Sequence, residues 1–543
     1  MPDILLIQPP IQDFYITYKR TVPYGLACIA ASLTQNDFSV SVFDSLATAR
    51  SRDIAWPEEM AYLKPYYGLP DSSPFALFHR FRHFGYSFEH IGKTARESGA
   101  FLVGISALFT TYIECARQTA LIVKKWLPDC KIVMGGHHPT AMPEDMMACE
   151  AVDFVIRGEG EAAMPQLAKA LKNGATLETV PGIVFRKPDG SVYQTEPAIM
   201  DDPDAFPRPS LRYIKHNFYK RGKKRSAVIV TSRGCPLKCT YCCTGKDSFL
   251  RFRQKSVASV LEEIENAVLN YDARFIDFED ENLSLNKPWF MKLLDAITSR
   301  FQNYNLELRA MNGLFPPSLD RDVIQAMQAA GFKTLNLGLC TTDKAQLRRF
   351  QRPDVSTASD RALNIAEDYN MQAVSYIIAG APYQEALDTV ADLVYLAQRR
   401  VLAGLSVFYP APGSRDFQLT EDLGILPEKY TLLRSSALPL NHTTSRIQSV
   451  TLLRLTRILN FMKQMTDDGI SFPEPMPPAS GHCLDNPEDR IKTGKCLLAQ
   501  LFYDGKIRGV LKNGTVFEHT ADVYLTRVFI QAIKRVKVRG MQV

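Results

Sequence analysis

The residues best suited to chemistry are three thiols in the run Cys235-Pro-Leu-Lys-Cys239-Thr-Tyr-Cys242, four and three positions apart. They follow the β-rich run Ala227-Val-Ile-Val-Thr-Ser-Arg, which breaks at Gly234. Thiolates on a loop can converge on one soft metal centre, whereas thiolates on a strand point to alternate faces. Three protein ligands on an iron–sulfur cluster leave one iron free to bind something else, as a catalytic rather than an electron-carrying cluster requires. Zinc is a competing reading, but it calls for a fourth Cys or His at short range. Cys243 is too close for that, and Cys340 is far along the chain. An inert group of buried thiols is the other alternative, and it leaves the Gly-Cys-Pro opening and the aromatic Tyr241 unexplained. Cys243 reads as a packed bystander.

The chain must supply elements that position this loop. Its 543 residues exceed one ordinary domain and predict two or three. No run of about eighteen apolar residues occurs, so no membrane span is expected. The opening Met-Pro-Asp-Ile-Leu-Leu-Ile lacks the basic region, long apolar stretch and cleavage site of a secretory leader. Eleven cysteines, scattered apart from the one group, fit a reducing cytoplasm with metal-binding thiols rather than a disulfide scaffold. The net charge of +6 is mild and does not point to nucleic acid.

Over residues 1–200, five apolar runs alternate with amphipathic stretches. The runs are 4–8, 39–44, 101–106, 131–135 and 153–158. Such a pattern predicts a parallel sheet covered on both faces. Each run ends in a turn: Gln8-Pro9-Pro10, Asp44-Ser45, Ser106 with Thr110, Gly135-Gly136-His137-His138, and Gly158-Glu159-Gly160-Glu161. Ligands of open α/β sheets bind outside the carboxyl ends of the strands, where these turns fall. Any one of them reads equally well as a tight strand-to-helix connection. Residues 46–98 form an inserted segment, rich in aromatics and carrying His79, His83 and His90, that suggests a cap.

Residues 201–225 are a turn-rich linker that passes into the basic run Lys215 to Arg225. That run reads as solvated surface, with guidance of a phosphate-bearing substrate as the alternative. From 226 to 415, strand and helix patterns alternate through six β units, which predicts a partial (βα)6 barrel with its chemistry at the carboxyl ends of the strands. The remainder, 416–543, reads as a small α+β region with an Asn513-Gly514 hairpin. His482, Cys483 and Cys496 lack the spacing of a second cluster.

The thiol run, with Tyr241 before the third cysteine, resembles the CxxxCxΦC signature of the radical S-adenosylmethionine (SAM) enzymes. The first 190 residues resemble the flavodoxin-like, Rossmann-type cobalamin-binding domain that precedes the radical SAM core in one subclass. Matching segments are LLIQPP at 5–10, YGLACIAASL at 24–33, VGIS at 103–106, MGGHHPT at 134–140 and RGEGE at 157–161. The resemblance implies a four-iron, four-sulfur cluster on Cys235, Cys239 and Cys242, with SAM on its open iron. It places Tyr241, Glu279, Asp280, Glu281, Gly380 and Pro382 around SAM. It places Gln8, Pro9, Pro10, Ser106, Thr110, Gly135, Gly136, His137, Gly158, Glu159, Gly160 and Glu161 around cobalamin. No Asp-x-His-x-x-Gly motif follows the first strand, so the implied cobalamin is one whose lower face is not held by histidine.

The chain departs from the family at Gly338-Leu339-Cys340-Thr341, where relatives carry an acidic residue in place of Cys340. Cys340 then reads either as a donor or radical quencher near SAM, or as a small core residue. The implied activity is methylation of an unactivated carbon in a small-molecule or peptide substrate, fed by an external electron donor of ferredoxin or flavodoxin type. Cyclisation, oxidation or rearrangement, and a non-catalytic sensor, are the alternatives. Methylthiotransfer is disfavoured, because the first domain lacks the additional three-cysteine site used for it.

Overall fold

The apolar runs at the start of the chain form strands whose alternate side chains feed two separate cores. The computed structural model describes residues 1–17, 21–245, 251–478 and 486–543, so His482 and Cys483 lie outside the described residues. Strands β1 (Ile4–Gln8), β2 (Val40–Asp44), β3 (Leu102–Ser106), β4 (Lys131–Gly135) and β5 (Phe154–Ile156) pair in parallel, in the order β2-β1-β3-β4-β5. In β1, Leu5 and Ile7 pack into one apolar layer and Ile4 and Leu6 into the other. Helices α1 (Tyr24–Gln35), α2 (Phe88–Ser98), α3 (Ile113–Trp126), α4 (His137–Ala141) and α5 (Gly160–Asn173) accompany the sheet. Residues buried on both faces explain the near-continuous hydrophobicity of these runs.

Two further strands, β6 (Ile183–Arg186) and β7 (Val192–Gln194), extend the sheet antiparallel beyond β5. Their connection is Pro188-Asp189-Gly190, with Gly190 in the left-handed region. That turn signal lies in the sequence, but the short, polar β7 hid the hairpin.

The inserted segment is shorter than the sequence suggests. Helix α2 packs against α3 and belongs to the domain's own helical layer. The segment therefore ends before Phe88. Ser51–Asp53 and Arg82–Phe84 join Ile11–Asp13 in a small antiparallel sheet.

The second half holds six parallel strands: β8 (Lys224–Ile229), β9 (Ala273–Phe278), β10 (Glu307–Ala310), β11 (Thr334–Cys340), β12 (Gln372–Ala379) and β13 (Leu402–Val407). They form two sheets, β8-β9-β10 and β11-β12-β13, joined by the bridges Leu308 to Phe332 and Leu314 to Leu337. The intervening helices are α6 (Val257–Tyr271), α7 (Lys287–Phe301), α8 (Arg321–Ala330), α9 (Ser356–Asp368) and α10 (Ala386–Ala397). The basic run is structural. Lys220–Arg221 pairs antiparallel with the start of β8, and Arg221 and Lys224 both reach Glu307.

An open barrel leaves a strand edge to be covered. Helix α11 (Arg446–Asp467) lies along β13, where Asn460 Oδ1 accepts from Ala403 N at 2.9 Å and Nδ2 donates to Ala403 O at 2.8 Å. Val407 N donates to Ser435 Oγ at 2.8 Å, which satisfies the same edge one turn higher. The inserted segment packs onto this edge through Met60, Leu63 and Tyr67, together with Phe14, against Val407 and Val450. Helix α12 (Arg490–Asp504), the hairpin of Arg508–Val510 with Val516–Glu518, and α13 (Val523–Lys534) complete the chain. Among the described residues, no helix is long and apolar enough to cross a membrane.

Between β9 and β10, Arg309 and Asp277 form a bidentate ion pair with side chains 6% and 3% exposed. Removing one partner of such a pair strands the other charge in low dielectric. Arg309→Met is expected to destabilise the protein by about 3–5 kcal/mol, and the further change Asp277→Leu to recover most of that loss, in denaturant unfolding curves.

Candidate active site

The cysteine loop is held at its root by one carboxylate. Asp280, at the carboxyl end of β9, accepts from Thr231 N at 3.0 Å, Thr231 Oγ1 at 2.7 Å and Ser232 Oγ at 2.6 Å. Gly234 then takes a positive φ of 73°, and Cys235 N closes the loop onto Thr244 O at 3.0 Å. Cys235 and Cys239 are each 8% exposed, Cys242 is half-buried, and all three are free thiols. Burial pushes the Cys235 thiol up to about 11, with Cys242, Cys239 and Glu281 adding to the effect.

Among the described residues, no three His, Cys, Asp or Glu side chains converge as ligands of a single ion. The signature thiols are close enough to bear on one another's charge.

Around the loop stand groups the sequence did not single out. Arg352 Nη1 donates to Tyr241 OH at 3.0 Å and approaches Cys239 Sγ at 3.7 Å, and Nη2 donates to Gly338 O at 2.5 Å. Tyr241 is therefore fixed by Arg352 and by edge-on packing against Phe350, 4.9 Å between ring centroids. Cys340 sits in the same apolar cluster, 3% exposed, and its thiol is pushed up to about 12 by burial. Its φ of 74° lies in the left-handed region, at a bulge between Gly338 and Cys340 in β11. A non-glycine residue held there stores strain.

The acidic run after β9 divides by role. Asp280 is spent on the loop root. Glu281 reaches the thiols: burial and then Asp280 raise its pKa, Thr244 hydrogen-bonds it, and it in turn raises the pKa values of Cys235, Cys242 and Cys243. Beside it, Asn282 Oδ1 is buried without a hydrogen-bond partner. An orphaned acceptor next to a carboxylate fits an ammonium group such as that of SAM. Glu279 gives its backbone carbonyl to Asn312 Nδ2 at 3.0 Å. At the end of β12, Gly380 takes a φ of 75°, and Ala381 N donates to Gln384 Oε1 at 3.2 Å, which sets the turn that carries Pro382.

The other strand ends meet this loop from above. Gly136 has a φ of 132°, and a Cβ there would lie 2.7 Å from Ala107 O, so only glycine fits. The two adjacent histidines part. His138 is buried, with Nε2 2.8 Å from Asp145 Oδ2 and Nδ1 3.2 Å from Thr110 Oγ1. His137 presents surface although protein crowds it closely, and that desolvation lowers its pKa. Leu108 and Phe109, at 42% and 43% exposed, flank the same turn after β3. Exposed apolar side chains, a crowded histidine and a glycine cradle together fit a large, partly apolar cofactor.

Several expected cofactor contacts are committed elsewhere. Gln8 Nε2 donates to Thr21 O at 2.6 Å, and Pro9 and Pro10 are buried. Gly160 admits Ile29, whose Cδ1 would be 3.0 Å from a Cβ at that position. Gly135, Ser106 and Gly158 are half-buried at their strand ends, and Gly158 N donates to Thr140 Oγ1 at 3.2 Å. Glu159 and Glu161 meet the arginines of the second half. Arg233 lies 3.2 Å from Glu159 and 2.5 Å from Glu161, and Arg253 lies 2.9 Å from Glu159.

The end of α4 and the cysteine loop adjoin. A Cβ at Gly413, in the loop after β13, would lie 3.5 Å from Ala141 Cβ at the end of α4 and 4.0 Å from Cys243 Cβ on the cysteine loop.

Residues 78–168 match the B12 binding domain family, and residues 229–394 match the Radical SAM superfamily. An uncharacterized methyltransferase of Pyrococcus horikoshii is 26% identical, over 85% of this chain and 92% of its own. The anaerobic magnesium-protoporphyrin IX monomethyl ester cyclase of Synechocystis is 29% identical over 50% of this chain, which spans 54% of that relative. The solved radical S-adenosylmethionine methyltransferase TsrM of Kitasatospora setae superposes with a TM-score of 0.58 at 17% identity, over 78% of this chain and 76% of that one. That likeness is one of fold.

Glu159→Gln leaves Arg253, whose side chain is 8% exposed, without its counter-ion. A loss of about 3 kcal/mol is expected in denaturant unfolding, together with faster proteolysis between the two halves.

Proposed function

Because the chain belongs to the cobalamin-dependent radical SAM enzymes, we propose that it methylates an unactivated carbon of its substrate. Its cofactors are a four-iron, four-sulfur cluster, SAM and cobalamin. When bound, the cluster and SAM supply a 5′-deoxyadenosyl radical for hydrogen abstraction, and cobalamin supplies the methyl group. The observation that carries the reading is the meeting of Ala141, Gly413 and Cys243, which sets the cobalamin-side turns directly beside the cluster loop.

The chain's own groups bind and orient. On this reading, residues 1–200 receive cobalamin, 201–225 link, 226–415 form the catalytic barrel and 416–543 close its edge. Cys235, Cys239 and Cys242 hold the cluster through their thiolates, and Arg352 steadies Cys239 and Tyr241. Glu281 and Asn282 accept hydrogen bonds from the SAM ammonium. The left-handed turn at Gly380 lets the backbone come close to the adenosine side, since no Cβ stands in the way. Leu108, Phe109, Gly136 and His137 cradle the corrin and keep water from its reacting face. Cys340 is a strained core residue against Tyr241 rather than an open nucleophile. A one-electron donor of ferredoxin or flavodoxin type serves the cluster from outside. The 29% identity to the Synechocystis cyclase favours radical ring closure as the second reading.

After anaerobic reconstitution, the protein is expected to show corrin and iron–sulfur absorbance and to form 5′-deoxyadenosine with a reductant. Label from the SAM methyl group appears in product on the first reading and stays out of it on the second. Changing Cys235, Cys239 and Cys242 together to Ala should reduce iron content and 5′-deoxyadenosine to background; cleavage that survives would refute the ligand assignment. Gly136→Val is expected to lower cobalamin content about tenfold while iron content holds, read from the two absorbance bands.

A further inference from the structure

The inserted segment crosses the covered edge of β13 and leaves a cavity of about 820 Å³ between itself, β13 and α11. Neither the cluster cysteines nor the glycine turns of the first sheet line it. The size is that of a pocket for a ligand larger than an amino acid. Its walls are of two kinds. One is flat and apolar: Tyr15 stacks on Phe78 at 5.1 Å and 11°, and Leu405 and Leu453 form the floor. Tyr15 is 46% exposed.

The other wall carries cations. Arg457 projects exposed from α11, where desolvation lowers its pKa, and Lys512 stands across the opening. Neither forms an ion pair or hydrogen bond among the described residues; Asp71, which also lines the cavity, acts on Arg457 through its charge alone. Asp71 lies 2.8 Å from His519 and accepts from Val510 N at 3.1 Å, and Asp53 is paired with Arg82 at 3.0 Å and Arg80 at 3.6 Å. An exposed guanidinium and an ammonium facing one cavity offer an anion charge-assisted hydrogen bonds. The cavity also leads toward the chemistry. Ser435 lines it and accepts from Val407 N, at the carboxyl end of β13 where the barrel opens.

We infer that this cavity binds an organic anion with a flat apolar body, its carboxylate or phosphate on Arg457 and Lys512 and its rings against Tyr15 and Phe78. Resting on the methylation reading above, this ligand is the substrate, held by its body while the carbon to be modified reaches the barrel mouth.

The test uses the full chain loaded with cluster, cobalamin and SAM, and two probes with the same ring system. These are 8-anilinonaphthalene-1-sulfonate, an anion, and N-phenyl-1-naphthylamine, which is neutral. One saturable sulfonate site is expected by fluorescence titration. Arg457→Gln should weaken it about tenfold, and the double change with Lys512→Gln further, while the neutral probe shifts less than twofold. Phe78→Ala should weaken both probes. Sulfonate affinity within twofold of the parent in the double variant would overturn the proposal. SAM cleavage without substrate is measured on the same samples of the parent protein. Absent cleavage in the parent protein, with sulfonate binding still dependent on Arg457, would refute the catalytic reading and leave the site standing.

Discussion

Two buried carboxylates hold the halves of this molecule in register. Glu159 and Glu161, at 3% and 8% side-chain exposure, sit at the end of the first domain's fifth strand and reach Arg233, two positions before the first cluster cysteine. Arginines cannot be left in such a place unpaired, so the domains part only by exposing or stranding charge. The cysteine loop is therefore built against the strand-end turns of the first domain. The glycines of the same run serve this arrangement: Gly158 turns the chain at φ 89°, and Gly160 lets α5 close onto Ile29.

The same principle sorts the second acidic run. Asp280 is committed to Thr231 and Ser232, and this tethers the start of the loop to the end of β9. Glu281 is left to face the thiols, with the unpartnered Asn282 Oδ1 beside it. A carboxylate that anchors backbone and one that waits for a ligand look alike in a string of Glu-Asp-Glu-Asn. Burial and the partners each one meets separate them.

Much of the fold was legible because local physics repeats along the chain. Apolar runs of strand length, punctuated by glycine and proline, located the five parallel strands of the first sheet and most of the barrel strands. The thiol spacing and Tyr241 located the loop. What periodicity misses is contact between distant segments. Asn460 covering the edge of β13, Arg352 against Tyr241, and the inserted segment lying on the barrel edge have no local signature. The Pro188-Asp189-Gly190 hairpin was visible in principle and was hidden by a partner strand too short and polar to register.

The sequence by itself determined the groups on offer: three loop thiols at the spacing of a shared metal centre, and glycine turns at the strand ends of an α/β sheet. Those follow from residue type and spacing, which act over a few bonds. Only the tertiary structure decided which of the acids became clasps and which stayed in reach of a ligand. It also decided which of two neighbouring histidines went into the core, and that the first domain's turns abut the cysteine loop at Ala141, Gly413 and Cys243. Charge pairing and packing act through space, whatever the separation of the residues along the chain.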